Sequence, residues 1–192
     1  EQLANAEQAL VLDVRKQEEF AKAHIPNSIF IGINGQFAPW VGALIVDIKQ
    51  PILLVCPSGQ EEEAVLRLSR VGYDNCLGFL QGGIDAWEKA GKQTDSIKSI
   101  SAEEFVNIYN TKEITTLDVR KPGEYQAQHL SKATHKALDY INDWTTELKK
   151  DNQFYIHCAG GYRSMIAASI LKSRGYTNLI DVAGGFSAIT KT

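Results

Sequence analysis

The sequence predicts an α/β protein made of two homologous units, each a mainly parallel five-stranded sheet flanked by helices. Two observations predict it. Short apolar runs such as Ile52 to Cys56 and Phe154 to His157 alternate with segments of helical spacing, the pattern of parallel strands joined by crossover helices. The pattern is also written twice. Leu12-Asp13-Val14-Arg15-Lys16 recurs as Leu117-Asp118-Val119-Arg120-Lys121, a shift of 105, and Ile52-Leu53-Leu54-Val55-Cys56 is answered by Phe154 to Cys158, a shift of 102. Glu19-Phe20 returns as Glu124-Tyr125, His24 as His129, Gly72-Tyr73 as Gly175-Tyr176 and Gly82-Gly83 as Gly184-Gly185. This order divides the chain into residues 1–95 and 96–192, with the polar stretch Lys92 to Ser99 as the linker.

The elements follow in order within the second unit. Ser101-Ala102-Glu103-Glu104 has the form of a capping box and opens a helix carrying Phe105, Val106, Ile108 and Tyr109. Ile114 to Val119 reads as a buried strand, and Pro122-Gly123 turns into a short helix. Phe154 to His157 is the central strand, and Ser164 to Arg174 is a helix stopped by Gly175. Leu179 to Val182 is a further strand, and Gly184-Gly185 turns into a last helix. The first unit lacks most of the opening helix, which reads as an N-terminal truncation. Its stretch Asn34 to Gly42, with Phe37-Ala38-Pro39-Trp40, has no counterpart in the second unit and reads as core or interdomain packing, the alternative being a docking surface for a neighbour.

Composition narrows the function classes. The 192 residues are 44% hydrophobic and 22% charged with a net charge of −3, which suits a globular core and argues against nucleic-acid and membrane partners. Three cysteines, Cys56, Cys76 and Cys158, are too few and too scattered for a disulfide framework or a zinc knuckle. A reducing, cytoplasmic location is expected.

The chemistry centres on Cys158-Ala159-Gly160-Gly161-Tyr162-Arg163. A strand delivers the cysteine into a glycine-bearing loop that opens a helix, so inward N–H groups, the helix N-terminus and Arg163 all favour negative charge on the sulfur. A free thiol has a pKa of ~8.5, and such surroundings lower it. Cys158 is therefore the candidate nucleophile, and Ala159, Gly160, Gly161, Tyr162 and Arg163 are the candidate substrate-binding residues. Gly160 and Gly161 are expected to give the loop its angles and clearance, and Tyr162 to face outward at its mouth.

The Asp-Val-Arg after the first strand, His24-Ile25-Pro26, the Cys loop and the Gly-Gly turn together resemble the rhodanese family of sulfurtransferases, over both units. The second unit departs from the pattern at His129-Leu130-Ser131. The resemblance implies a double displacement without cofactor: Cys158 takes a sulfane sulfur from thiosulfate or a low-molecular-weight persulfide, and a thiol, sulfite or cyanide removes it. Arg163 would receive the donor's anionic head. Phe37-Ala38-Pro39-Trp40 and the tandem arrangement are similar to the C-terminal part of fusions in which a metallo-β-lactamase-fold persulfide dioxygenase precedes a pseudo-rhodanese and a rhodanese. This implies an upstream, iron-carrying domain in the full-length chain. His24, His129, His135 and His157 form no His-x-His-x-Asp-His run, so no metal is expected in these residues. His24, His129 and His157 read as structural, and Asp118 with Arg120 as a buried pair beside the loop.

The first loop, Cys56-Pro57-Ser58-Gly59-Gln60-Glu61, places Glu61 where the second places Arg163, and Pro57 removes an N–H. A carboxylate disfavours a thiolate and repels anionic donors. Residues 1–95 thus read as a degenerate rhodanese domain with Cys56 a relic, and Cys76 as inert strand core. Four residues separate Cys158 from Arg163, against five in the phosphatases and arsenate reductases of related fold, and the smaller cradle suits one sulfur atom. The alternative is that both units are non-catalytic, persulfide-binding interaction modules of a larger persulfide dioxygenase.

Overall fold

The computed structural model describes residues 1–192 and divides into two compact units, Glu1–Ser96 and Ile97–Thr192. The first unit runs α1 (Gln2–Ala6), β1 (Leu10–Asp13), α2 (Gln17–Lys22), β2 (Ile29–Phe30), α3 (Phe37–Leu44), β3 (Ile52–Val55), α4 (Glu61–Ser69), β4 (Cys76–Phe79) and α5 (Gly83–Lys89). The second runs β5 (Lys98–Ile100), α6 (Ala102–Thr111), β6 (Thr115–Asp118), α7 (Pro122–Ala127), β7 (Ala133–His135), α8 (Ile141–Trp144) flanked by two 3-10 turns, β8 (Phe154–His157), α9 (Tyr162–Ser173), β9 (Leu179–Val182) and α10 (Gly185–Ile189). All strand pairings within the two sheets are parallel, in the order β2-β1-β3-β4 and β5-β9-β8-β6-β7.

The fold is the expected one, with corrections. The first sheet has four strands rather than five. The polar stretch 92–99 is not a free linker: Asp95 bridges to His24 through two backbone hydrogen bonds of 2.8 and 2.9 Å, and residues 98–100 pair with β9. Polarity there reflects an edge strand with two exposed side chains. Cys76 lies on an edge strand and is half-buried rather than core.

The strand β8 is buried throughout, as a central parallel strand covered on both faces must be. The helix after it, α9, buries Ser164 through Leu171 without interruption. Its counterpart α4 buries only Ala64 and Leu68 and presents glutamates in its first turn. Phe37, Trp40, Val41 and Leu44 of α3 are buried, so the aromatic pair around Pro39 is packing. In the second unit the same place in the chain order is filled by residues 138–147, with Leu138, Ile141 and Trp144 buried. The repeated Gly-Tyr explains itself there: the Tyr73 hydroxyl donates to the Ile45 carbonyl at 2.5 Å, and the Tyr176 hydroxyl to the Thr145 carbonyl at 2.7 Å. Each tyrosine ties the crossover segment to the turn after the central helix.

The opening helix of the second unit begins at the anticipated cap, with the Glu104 N–H donating to Ser101 Oγ at 3.1 Å. Its Phe105 is fully buried among Tyr155, Ile180, Val182 and Ile189. Replacing Phe105 by Ala is expected to destabilise the second unit by about 3–5 kcal/mol, the transfer and cavity contributions together. In urea unfolding the midpoint should fall with little change in slope.

Candidate active site

The strand β8 ends at His157 and sets Cys158 at the C-terminal edge of the sheet, where ligands of open parallel sheets bind. Three residues then turn the chain into α9. Gly161 makes that turn with φ of 101°, a backbone region costly for residues with a β-carbon. Its N–H donates to Cys158 Sγ at 3.1 Å. Cys158 is only 1% exposed. Any charge on the sulfur must therefore be met by protein groups rather than by bulk water. Gly160, by contrast, is exposed, has no positive φ, and would accept a β-carbon without contact. The expectation that Gly160 is needed for clearance is thus corrected, since only Gly161 is conformationally required.

The loop is clamped from α10. The Phe186 N–H donates to the Cys158 carbonyl at 2.7 Å and the Ser187 N–H to the Ala159 carbonyl at 3.0 Å. These first-turn amides have no partner inside their own helix, so the loop carbonyls satisfy them. The approach is possible because position 185 is glycine: a β-carbon there would stand 2.4 Å from the Cys158 carbonyl oxygen, and its φ is +53°. From below, the Ser164 hydroxyl lies 2.6 Å from Asp181 Oδ1 and 3.0 Å from the Gly161 carbonyl, and the Ser99 hydroxyl donates to Asp181 Oδ2 at 3.0 Å. The first turn of α9 is thereby tied to β9 and β5.

Arg163 leaves the first turn of α9 and meets Glu124 of α7 in a two-pronged ion pair, Nη1 to Oε2 at 2.5 Å and Nη2 to Oε1 at 2.8 Å. Glu124 Oε2 also accepts the Lys121 N–H at 3.0 Å, closing the start of α7. The Arg163 hydrogen bonds hold the Glu124 carboxyl at about 2, outweighing the opposing effect of burial. Arg163 in turn is raised, first by Glu124 and further by the charge and a hydrogen bond of the Cys158 sulfur. The guanidinium is thus paired with a carboxylate and favoured in its charged form by the sulfur. Tyr162 is half-buried, and burial keeps its phenol protonated.

His157 and the Asp118–Arg120 pair form the floor. Arg120 Nε and Nη2 reach Asp118 at 2.9 and 2.6 Å, and Nη2 also donates to the Gln128 carbonyl at 2.8 Å. The Arg120 guanidinium lies 3.9 Å over the Phe186 ring, so the pair also steadies the helix that grips the loop. His157 is fully buried, with Nε2 3.8 Å from Asp118 Oδ2, and burial lowers its pKa, which Asp118 only partly opposes. It is a neutral packing residue. His24 is likewise buried and stacked on Phe20, whereas His129 is exposed on the surface against Tyr125.

The first unit repeats the scaffold with opposite electrostatics. Asp13 and Arg15 make the same pairing, with Nη2 to Oδ2 at 2.6 Å, and Glu19 accepts the Lys16 N–H as Glu124 does that of Lys121. Glu61 stands in place of Arg163. The Cys56 thiol is pushed up to about 12, chiefly by burial and then by the Glu61 carboxylate, with Cys76 and Asp13 adding to it.

Glu124, Asp181, Ser164 and Gly185 were not among the residues the sequence singled out. A signal existed for two of them. Glu19 with Glu124 and Gly82-Gly83 with Gly184-Gly185 are paired in the repeat, and an arginine in place of Glu61 calls for an acidic partner, which the glutamate kept in both units can supply only where the arginine is present. Replacing Gly185 by Ala should cost roughly 1–2 kcal/mol for the left-handed angle alone. The collision with the Cys158 carbonyl adds to this. Urea unfolding should show the loss of stability as a lower midpoint.

The sequence matches the Rhodanese-like domain family at residues 1–90 and again at 101–192. Among its relatives are the putative sulfur carrier protein YrkF of Bacillus subtilis, 32% identical over 51% of this chain and 54% of its own, and the thiosulfate sulfurtransferase GlpE of Coxiella burnetii, 25% identical over 46% of this chain and 83% of its own. The chain thus spans about half the length of YrkF. The crystal structure of a rhodanese-like domain protein from Staphylococcus aureus is 31% identical, with a TM-score of 0.46, over 48% of this chain and 91% of that one. The chain belongs to the rhodanese-like domain family and carries the domain twice.

Proposed function

We propose that the second unit is a sulfurtransferase in which Cys158 carries the sulfur as a persulfide, and that the first unit does not catalyse. Sulfurtransferase-type function at the level of the family is supported by the two matched domains and by relatives described as a sulfur carrier and a thiosulfate sulfurtransferase. The observation that carries the finer reading is the buried Cys158 sulfur with the Gly161 N–H 3.1 Å away, in a loop whose helix carries Arg163 rather than a carboxylate in its first turn. The same position in the first unit holds a thiol pushed up to about 12.

In the first half-reaction the Cys158 thiolate attacks the outer sulfur of the donor. The donor's S–S bond breaks, its inner sulfur leaves with the electron pair, and Cys158 becomes a persulfide. An acceptor thiol, sulfite or cyanide then attacks the outer sulfur of that persulfide and restores the thiolate. The fixed N–H and guanidinium favour negative charge on sulfur at both stages without reorganising, which is the electrostatic form of catalysis. Ala159, Gly160 and Tyr162 line the same loop and would contact donor or acceptor from its rim. An upstream metallo-β-lactamase-fold persulfide dioxygenase in the full-length chain would consume persulfide and release sulfite, one of the acceptors that could unload Cys158.

Mass spectrometry after exposure to thiosulfate or glutathione persulfide should show a gain of about 32 Da on the Cys158 peptide, from one added sulfur. Cys158→Ser is expected to abolish turnover with cyanide as acceptor, and Cys56→Ser to stay within about twofold of the parent. Equal activity in the parent and both variants would overturn the assignment, and loading of Cys56 alone would move the site to the first unit.

A further inference from the structure

The ion pair between Glu124 and Arg163 bears on which donor the site takes. An arginine holds a sulfonate most strongly when a two-pronged edge, such as Nη1/Nη2, is free to match two oxygens of the anion and its charge is not already offset. Here the Nη1/Nη2 edge is taken by the two carboxylate oxygens of Glu124, at 2.5 and 2.8 Å, which leaves the Nε–H and the outer Nη hydrogens on a guanidinium whose charge the carboxylate offsets. The carboxylate is itself held by the Lys121 N–H at 3.0 Å, so it cannot turn aside without opening the start of α7. We propose that Glu124 is a specificity-determining residue that closes the Arg163 fork against sulfonate-bearing donors and so biases Cys158 toward persulfides whose leaving sulfur is bonded to carbon.

This rests on the reading of Cys158 as the sulfur-accepting nucleophile, and it goes beyond that reading by ranking the donors. With thiosulfate, Cys–S⁻ and S–SO3²⁻ give Cys–S–S⁻ and SO3²⁻, and the departing dianion must leave beside a carboxylate. With a persulfide, Cys–S⁻ and R–S–SH give Cys–S–SH and R–S⁻, and the group next to the scissile bond is an uncharged methylene. The Gly161 N–H stays on the Cys158 sulfur in both cases. The fork stays closed across neutral pH, since the Glu124 carboxyl is held at about 2. Glu19 of the first unit makes the same helix-start contact but faces no arginine at position 61, so the gate belongs to the second unit.

The test compares the parent protein with Glu124→Gln and Glu124→Ala, using thiosulfate and glutathione persulfide as donors and cyanide as the common acceptor. Each preparation is described by the ratio of its two kcat/KM values, from which the fraction of folded protein cancels. Opening the fork should raise the thiosulfate-to-persulfide ratio by at least about tenfold in both variants, mainly through a lower KM for thiosulfate. A ratio that stays within about twofold of the parent, or falls, overturns the gate while leaving Cys158 as the nucleophile. If Cys158 gains no sulfur from either donor in the parent, the nucleophile assignment fails and the gate with it.

Discussion

A charge on a sulfur atom that is almost wholly buried has to be met by groups already in place. That constraint organises the second unit. Water cannot supply the compensation at 1% exposure. The Gly161 amide and the Arg163 guanidinium are what the loop offers, and each is useful only if it does not move. The surroundings serve that end. The α10 amides hold the Cys158 and Ala159 carbonyls, Asp181 holds Ser164 at the helix start, and Arg120 packs on Phe186 while bound to Asp118. Each of these contacts removes a way for the loop to relax.

The two units separate what the fold needs from what the chemistry needs. The Asp-Arg pair, the Gly-Gly turn and the Gly-Tyr tie occur in both, with nearly the same distances. These features build the sheet edge, the last helix and the crossover, whatever the loop carries. At positions 61 and 163 the charge reverses, and with it the surroundings of the cysteine. Burial alone already raises the Cys56 thiol, and a carboxylate rather than a guanidinium at the helix start adds to that rise. The first unit thus keeps the frame of the site without its electrostatics.

The repeat made most of this legible before any coordinates. Apolar runs of strand length between helical segments fixed the parallel sheets, and the Cys loop was visible because glycine, cysteine and arginine fall together in eleven residues. What stayed hidden depended on distance in the chain. Glu124 is thirty-nine positions from Arg163 and has a sufficient local reason to exist as the start of α7, so nothing in its neighbourhood points toward the cysteine. Gly185 reads as a turn residue, and its contact with Cys158 requires knowing that α10 folds back onto the loop. The strand Lys98–Ile100 was lost for a different reason: two of its three side chains are exposed, and an edge strand so short has no apolar pattern to read.

Glu124 shows how a structural contact can acquire a second effect. In both units a glutamate three residues past a lysine closes the start of the helix after the Asp-Val-Arg turn, accepting the lysine N–H at 3.0 Å. That role needs only one carboxylate oxygen and is complete without any partner on the central helix. When the central helix begins with arginine, the remaining acceptor capacity of the same carboxylate is directed at the guanidinium, and the Nη1/Nη2 edge of that arginine is occupied. The net charge at the mouth then depends on a residue whose position the helix start dictates. An arginine in this loop is therefore not by itself a donor-binding cation, because its effect is set by the carboxylate that the neighbouring helix already holds in place.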